Sequence, residues 1–92
     1  MIGSFCIVRT YSAGVHMGYL HECNGSCVIL KDARRLFSWT EAFTLHEISQ
    51  NGGGEASRIS MPVPEIYLSE AIEVIPCSEK ATKNLQRSRN GV

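Results

Sequence analysis

Residues 32–39 read Asp32-Ala33-Arg34-Arg35-Leu36-Phe37-Ser38-Trp39, and the fold and the candidate site both depend on this stretch. Side chains alternate between the two faces of a β-strand, so Arg34 and Leu36 are expected on one face. Arg35, Phe37 and Trp39 then share the opposite face. A guanidinium beside an aromatic ring suits a flat anion such as a nucleotide. The alternative is a plain barrel strand with two solvated arginines and an aromatic side chain in the core.

Size and composition predict a single ordinary globular domain. The chain has 92 residues, of which 43% are hydrophobic and 20% are charged, enough for one modest core. The longest apolar runs are a few residues, so no membrane span is predicted. Residues 1–4 lack the basic start and apolar core of a signal peptide, and we therefore expect a cytoplasmic protein.

Charge is unevenly distributed along the chain although its net value is zero. Residues 80–92 carry four basic side chains and no acid, whereas residues 1–79 carry a net charge of −4. We predict a compact β-rich domain over residues 1–79 and a basic, partly frayed helix or tail over residues 80–92. Because the body is acidic, it is not expected to bind nucleic acid through its surface charge.

Cysteines stand at positions 6, 23, 27 and 77. If Asn24-Gly25 forms a two-residue hairpin turn, Cys23 lies opposite Ser26 and Cys27 lies opposite Glu22. Adjacent rungs of a ladder point to opposite faces, so the two sulfurs diverge. The spacing also matches no complete set of four zinc ligands. We therefore predict reduced cysteines, no metal site and no cofactor.

The first half of the chain predicts three strands. They cover residues 4–9, 15–23 and 26–31, and the third either runs on through Ala33 or bulges at Asp32. Residues 10–14 form a turn in which Gly14 is free to take a positive φ. Gly18, inside the second strand, marks a bend or a close approach of two backbones.

A helix is predicted after the long third strand. Thr44 and Glu47 have the spacing of a capping box, and Asn51-Gly52 supplies a C-terminal stop. A helix this short must dock on the sheet to be stable. The glycines at 52–54 form either a simple connector or a mobile lid.

The last third returns to β structure. Short strands are predicted at residues 58–61, 65–68 and 71–75, with Pro62 and Pro64 at a sheet edge or in a crossover. Ser78 is predicted to cap a short helix that ends near residue 87, with Ala81 and Leu85 facing inward.

These elements favour a mainly β (α+β) fold. We expect a small, strongly bent antiparallel barrel or half-barrel with one or two short docked helices. A glycine bend at Gly18 and a closing strand over residues 72–76 resemble Sm-like and SH3-like barrels. If the likeness holds, unpaired edge strands pair between subunits, so a homo-oligomer is expected.

Three segments resemble a family of small proteins from tailed phages and prophages that is recorded as a domain of unknown function. They are residues 8–18, residues 32–39 and residues 68–76, the last reading Leu68-Ser69-Glu70-Ala71-Ile72-Glu73-Val74-Ile75-Pro76. The chain departs from the family at Phe37, where Trp is common. The resemblance implies a viral or prophage origin and a bacterial host cytoplasm, and it implies no activity.

Our leading hypothesis is a non-catalytic, oligomeric binding module that captures a small anionic, nucleotide-like ligand, as a sponge against host immune signalling. Arginines would bind the phosphates, aromatic rings would stack on the base, and a glycine would let backbone N–H groups approach. The candidate ligand-binding residues are Arg9, Tyr11, Ser12, Gly14, His16, Arg34, Arg35 and Trp39. Each also has a structural explanation, such as pairing of Arg9 with Glu73.

Two alternatives stay open at this point. One is a protein-interaction module that inhibits or recruits a host protein, and the other is an Sm- or OB-type binder of single-stranded nucleic acid. The positions of Arg34, Arg35 and Trp39 discriminate between them, because a concave pocket favours a ligand and a flat patch favours a protein. An enzyme is not expected, since no phosphate loop, dinucleotide fingerprint or metalloprotease helix occurs in the sequence.

Overall fold

The computed structural model describes residues 2–38, 45–52 and 58–87, and these residues are mainly β. The predicted capping residue Thr44, the aromatic Trp39, the glycines at 53–54 and the tail at 88–92 lie outside the described residues. In chain order, the elements are β1 (Phe5–Thr10), β2 (Val15–Asn24), β3 (Cys27–Ser38), α1 (Leu45–Asn51), β4 (Arg58–Ile59), β5 (Val63–Leu68), β6 (Ala71–Pro76) and α2 (Glu79–Arg87).

All strand pairs of the sheet are antiparallel. The order is β4-β3-β2-β1-β6, and β5 also pairs with β3. Two strands share one edge of β3 because β3 is long: β5 pairs with its first half and β4 with its second half. In the part of the chain that the structure describes, no ladder joins β5 to β6. The predicted small antiparallel β domain with two short helices is confirmed, as an open sheet that does not close into a barrel.

A bulge at Asp32 divides β3 into two halves. Met17 pairs with Arg34 and Tyr19 pairs with Lys31. The two β2 residues are two positions apart and their β3 partners are three positions apart, so β3 carries one extra residue. Asp32 takes a left-handed conformation with φ of 50°. Both versions of the prediction are therefore confirmed, because β3 bulges at Asp32 and also continues, far beyond residue 31.

The bulge reverses which residues of β3 face each side of the sheet. Leu30 and Ala33 belong to one core cluster, whereas Leu36 belongs to the other. Gly18 of β2 lies against this point, and a Cβ there would be 2.8 Å from the carbonyl oxygen of Lys31. The close backbone approach predicted at Gly18 is confirmed.

Two separate hydrophobic clusters cover the two faces of the sheet. The helix-side core contains Phe5, Ile7, Met17, Leu36, Leu45, Ile48, Ile59 and Leu85. The strand-side core contains Cys6, Val8, Leu20, Val28, Leu30, Ala33 and Leu68, with Ile66 and Val74 packed against it. Successive residues of β1 alternate between the two clusters, so both faces of β1 are buried. Since β5 and β6 both contribute to the strand-side core, the open sheet curls around it.

The C-terminal end of α1 and the N-terminal start of α2 lie at the residues that the sequence predicts. Gly52, with φ of 82°, follows α1 and donates its N–H to the carbonyl oxygen of Ile48 at 2.8 Å. The hydroxyl of Ser78 accepts a hydrogen bond from the N–H of Ala81 at 3.1 Å, which is an N-cap contact for α2. Ala81 and Leu85 are fully buried, as expected.

The hairpin between β2 and β3 turns one residue later than predicted. Asn24 pairs with Cys27, so the two turn residues are Gly25 and Ser26, and Cys23 pairs with Val28 rather than with Ser26. Gly25 has φ of 63° and Ser26 does not have a positive φ, which is the pattern of a type II′ turn with glycine first. Cys23 and Cys27 still point to opposite faces of the hairpin, because Cys27 shares a rung with Asn24.

Candidate functional site

Arg34 is buried against the C-terminal end of α2, with 7% of the residue exposed. Its Nε donates to the carbonyl oxygen of Ser60 at 2.8 Å, and its Nη1 donates to those of Leu85 at 3.1 Å and Gln86 at 3.4 Å. The last two carbonyls belong to the final turn of α2, where the helix dipole favours a cation. Burial lowers the pKa of the guanidinium, and the carbonyl oxygens around it stabilise its charge. Arg34 therefore fastens α2 to the sheet.

Arg35 points to the opposite face and is exposed. Its Nη2 donates to the carbonyl oxygen of Ala13 at 2.7 Å, across the turn between β1 and β2. A Cβ on Gly14 would lie 2.9 Å from this same nitrogen, and Gly14 has φ of 86°. Glycine at this position therefore leaves space for the guanidinium. The two adjacent arginines do not line one pocket.

His16 lies beneath the turn and is buried. Its Nε2 is 2.9 Å from the carbonyl oxygen of Ala13, so the neutral ring donates its Nε2–H to that oxygen. Burial lowers the pKa of His16. At neutral pH the side chain is an uncharged support for the turn.

Glu70, in the link between β5 and β6, occupies the other side of the turn. Ser12 donates its hydroxyl proton to the Glu70 carboxylate, and the N–H of Tyr11 donates to the Glu70 carbonyl oxygen at 3.0 Å. The Tyr11 ring itself is 78% exposed. Ser12 therefore has an acidic partner of its own, while the Tyr11 ring is available for stacking.

Arg9 lies apart from Arg35, on the helix side of the sheet. It shares a rung with Val15, which packs against the helix-side core, whereas Arg35 shares a rung with His16. Its Nε is 3.4 Å from Oε1 of Glu73, the ion pair that the sequence offered as an alternative.

We call the residues that meet at this turn the turn cluster: Tyr11, Ser12, Gly14, His16 and Arg35. Arg9 and Arg34 lie elsewhere, and Trp39 is outside the described residues. The cluster holds one guanidinium and faces the carboxylate of Glu70, so its charge is nearly balanced. Tight capture of a phosphate usually uses several cations or backbone N–H groups. The geometry therefore supports phosphate binding here only weakly.

A second surface lies along β5. Met61, Val63 and Tyr67 are 61%, 40% and 62% exposed, whereas Leu68 is buried and Ile66 is half-buried in the strand-side core. Val63, Glu65 and Tyr67 occupy alternate positions of the strand and therefore share its outer face. One edge of β5 pairs with β3, and across the described ranges no strand pairs with its other edge. We call Met61, Val63, Glu65 and Tyr67, with this open edge, the β5 edge surface.

A groove of about 220 Å³ adjoins the β5 edge surface. Its lining residues are Glu22, Asn24, Cys27, Ile29 and Tyr67. Tyr67 and Ile29 are cross-strand neighbours. A hydrogen bond with the thiol of Cys27 raises the pKa of the Tyr67 phenol. Its lining is mixed: Ile29 and the Tyr67 ring are apolar, Asn24 is polar, and Glu22 is acidic.

Lys31 and Glu65 form an ion pair beside the groove, and the hydrogen bond from Lys31 lowers the pKa of the carboxyl. The sequence predicts Pro62 and Pro64 at a sheet edge or in a crossover, and it does not predict the exposed row on β5. The alternation of Val63, Glu65 and Tyr67 was the signal that pointed to it.

The described cysteines and acidic residues are not grouped as a metal centre. All four cysteines are free, and no group of three or more His, Cys, Asp or Glu side chains is placed to hold a metal ion in the described ranges. Burial raises the pKa of Cys77 to about 12 and also raises the pKa of Cys6. These two thiols are therefore poor nucleophiles at neutral pH.

Comparison with known proteins gives a family and no activity. No helix in the described ranges is long and apolar enough to cross a membrane. No curated protein and no solved structure matches the chain significantly. The family described as Domain of unknown function (DUF6948) matches over residues 3–85. Because this match covers nearly the whole chain, the protein belongs to the DUF6948 family.

Proposed function

We propose that this protein is a non-catalytic protein-interaction module, which binds an extended segment of a host protein along β5. The observation that carries the proposal is the edge of β5 that no strand of the described residues covers, beside the exposed apolar side chains of Met61, Val63 and Tyr67. Unpaired N–H and C=O groups on such an edge bind an added strand, and the outward side chains supply apolar contact.

The residues around the edge limit what can bind there. Pro64 has no N–H, so the C-terminal half of β5 offers the better backbone partners. The groove lies over β3, on the inner side of Tyr67, so only a long side chain of the added strand reaches it, and Glu22 in its lining favours a basic one. The expected partner segment is therefore extended, with an apolar residue close to a basic one.

The test is capture of a partner from a bacterial lysate with a matched pair of variants. Tyr67→Lys places a charge on the β5 edge surface, and Tyr11→Lys places the same charge on an equally exposed tyrosine at the turn. We expect wild type and Tyr11→Lys to retain one host protein that Tyr67→Lys loses. Hydrogen exchange on the complex should then show slower exchange of the β5 amides. A partner retained equally by both variants would refute the proposal.

We also propose that the curled sheet is a half-barrel of the Sm-like or SH3-like type. The supporting feature is the order β5-β3-β2-β1-β6, in which consecutive strands β5 and β6 stand at opposite ends while Leu68 and Val74 pack in one core. We further propose a phage or prophage origin, on the resemblance carried by residues 8–18, 32–39 and 68–76. The cytoplasmic location stays a prediction.

Nucleotide capture, with an anti-defence role, is the second candidate function. One observation favours it: the exposed ring of Tyr11 is part of the turn between β1 and β2, and Arg35 of β3 donates its guanidinium to the Ala13 carbonyl oxygen of the same turn. Native mass spectrometry with cyclic and linear nucleotides tests it, and Arg35→Ala is the informative variant because Arg34 supports α2. An adduct on wild type that Arg35→Ala and Tyr11→Ala both lose would establish this function, and no adduct with any nucleotide would remove it.

A further inference from the structure

We infer that in the free protein the β5 edge surface is covered by a second copy of this chain, whose β5 pairs antiparallel with the first around a two-fold axis. The inference rests on the proposed function, because it names what occupies the same surface before a host protein arrives. It concerns the outer edge of Val63–Leu68, which no strand in the described residues covers.

Symmetry makes the edge complementary to itself. A two-fold axis perpendicular to the sheet places β5 of one copy antiparallel to β5 of the other, and the same backbone groups then serve as donors and acceptors on both sides. The sheet continues from one copy into the next. No side chain has to leave the core, because Ile66 and Leu68 already face the strand-side core.

The side chains select one register. An axis at Glu65 would set two carboxylates directly opposite each other, which is unfavourable. An axis at Tyr67 would leave only residues 66–68 opposite residues of β5 in the second copy. With the axis at Ile66, residues 64–68 of one strand all find partners within β5 of the other. This register sets Tyr67 opposite Glu65 of the second copy and diagonal to its Val63, within reach of an aromatic ring.

Charge does not oppose the association. The chain has a net charge of zero, so two copies do not repel each other at long range. Glu65 carries its own counter-ion, because Lys31 binds its carboxylate within the same copy. Apolar contact and backbone pairing drive the association, and we therefore expect dimer formation to change little with salt.

The test measures molar mass by sedimentation equilibrium at protein concentrations of about 1 to 500 µM. The range is wide because an interface formed mainly by one pair of strands is small, and small interfaces bind weakly. We expect the wild-type mass to rise from one chain to two. Tyr67→Glu sets two carboxylates opposite each other, because residue 67 faces Glu65 of the second copy, and should remain monomeric over the whole range. Tyr11→Glu places the same charge on an exposed tyrosine outside β5 and should follow the wild type. Far-UV circular dichroism and thermal melting of each variant show that it is folded. Exchange of the β5 amides should slow as the wild-type concentration rises.

Three results would overturn the inference. They are a wild-type mass of one chain at every concentration, a dimer that Tyr67→Glu leaves intact, and assembly beyond two chains. Failure of this inference is distinguishable from failure of the proposed function. A monomer that still captures a host protein through β5 leaves the proposed function in place. A dimer that forms through β5 and captures no host protein at any dilution would refute the proposed function and leave the self-association in place.

Discussion

Arg34 and Arg35 are neighbours of the same type, and the structure predicts very different consequences for removing them. Arg34→Ala deletes the two well-formed bonds to the carbonyl oxygens of Ser60 and Leu85 and the longer one to Gln86. Hydrogen bonds to a charged group contribute about 1.5–3 kcal/mol each, and a cation at a helix C-terminus adds up to about 1 kcal/mol. We therefore expect Arg34→Ala to lower the free energy of unfolding by at least about 3 kcal/mol.

Arg35→Ala is the matched control. The side chain is exposed, and its bond to the carbonyl oxygen of Ala13 lies at the surface. We expect a loss below about 1 kcal/mol. Arg34→Lys should fall between the two, because one ammonium on a flexible stem does not span the carbonyl oxygens of Ser60 and Leu85 as the planar fork does.

Urea unfolding followed by circular dichroism measures all three variants. A domain of this size has a total stability of about 5–14 kcal/mol, so Arg34→Ala is expected to shift the midpoint strongly and to be near its limit of folding. If Arg34→Ala does not fold, the stability loss of Arg34→Lys is compared with that of Arg35→Ala instead. Equal losses for Arg34→Ala and Arg35→Ala, or a loss below about 1 kcal/mol for Arg34→Ala, would refute the reasoning.

Three further predictions concern the bulge and the turn. Gly18→Ala should cost about 1–3 kcal/mol in urea unfolding, since its Cβ would meet the Lys31 carbonyl oxygen at 2.8 Å; a neutral result would contradict this close approach. Asp32→Gly should be neutral or stabilising and Asp32→Val should cost at least about 1 kcal/mol, because φ is 50°; equal effects would argue against the left-handed conformation. The folded pKa of His16 is below 6.5, so the unfolded chain binds the proton more readily and stability falls as pH falls through that value. The thermal midpoint of wild type should therefore drop below pH 6.5 more than that of His16→Gln, and parallel profiles would contradict the assignment.

Much of the secondary structure is predictable because its causes are local. The glycine after α1, the serine before α2 and the turn glycine Gly25 act through neighbours a few residues away. The hairpin was predicted one residue early because both Asn24-Gly25 and Gly25-Ser26 are acceptable turn pairs. Only the pairing of the whole strands, with Asn24 on Cys27, selects the second.

The candidate site was less predictable from the sequence. The alternation rule correctly separates Arg34 from Arg35, but it does not say which face is buried. The buried face depends on the C-terminal end of α2, which lies more than 50 positions further along the chain. The last carbonyl oxygens of α2 accept hydrogen bonds from the Arg34 guanidinium. The same holds for Ser12, whose partner Glu70 comes from the link between β5 and β6.

The sequence by itself determined the kind of elements, their order and the positions of most caps and turns, because periodicity and backbone preference act within a few residues. The tertiary structure alone decided which faces the two arginines occupy and which strand edge stays open. The physical reason is that both depend on pairing between distant strands. One extra residue at Asp32 redirects the side chains that follow it, and the position of β5 beside β3 leaves its outer edge without a partner in the described residues.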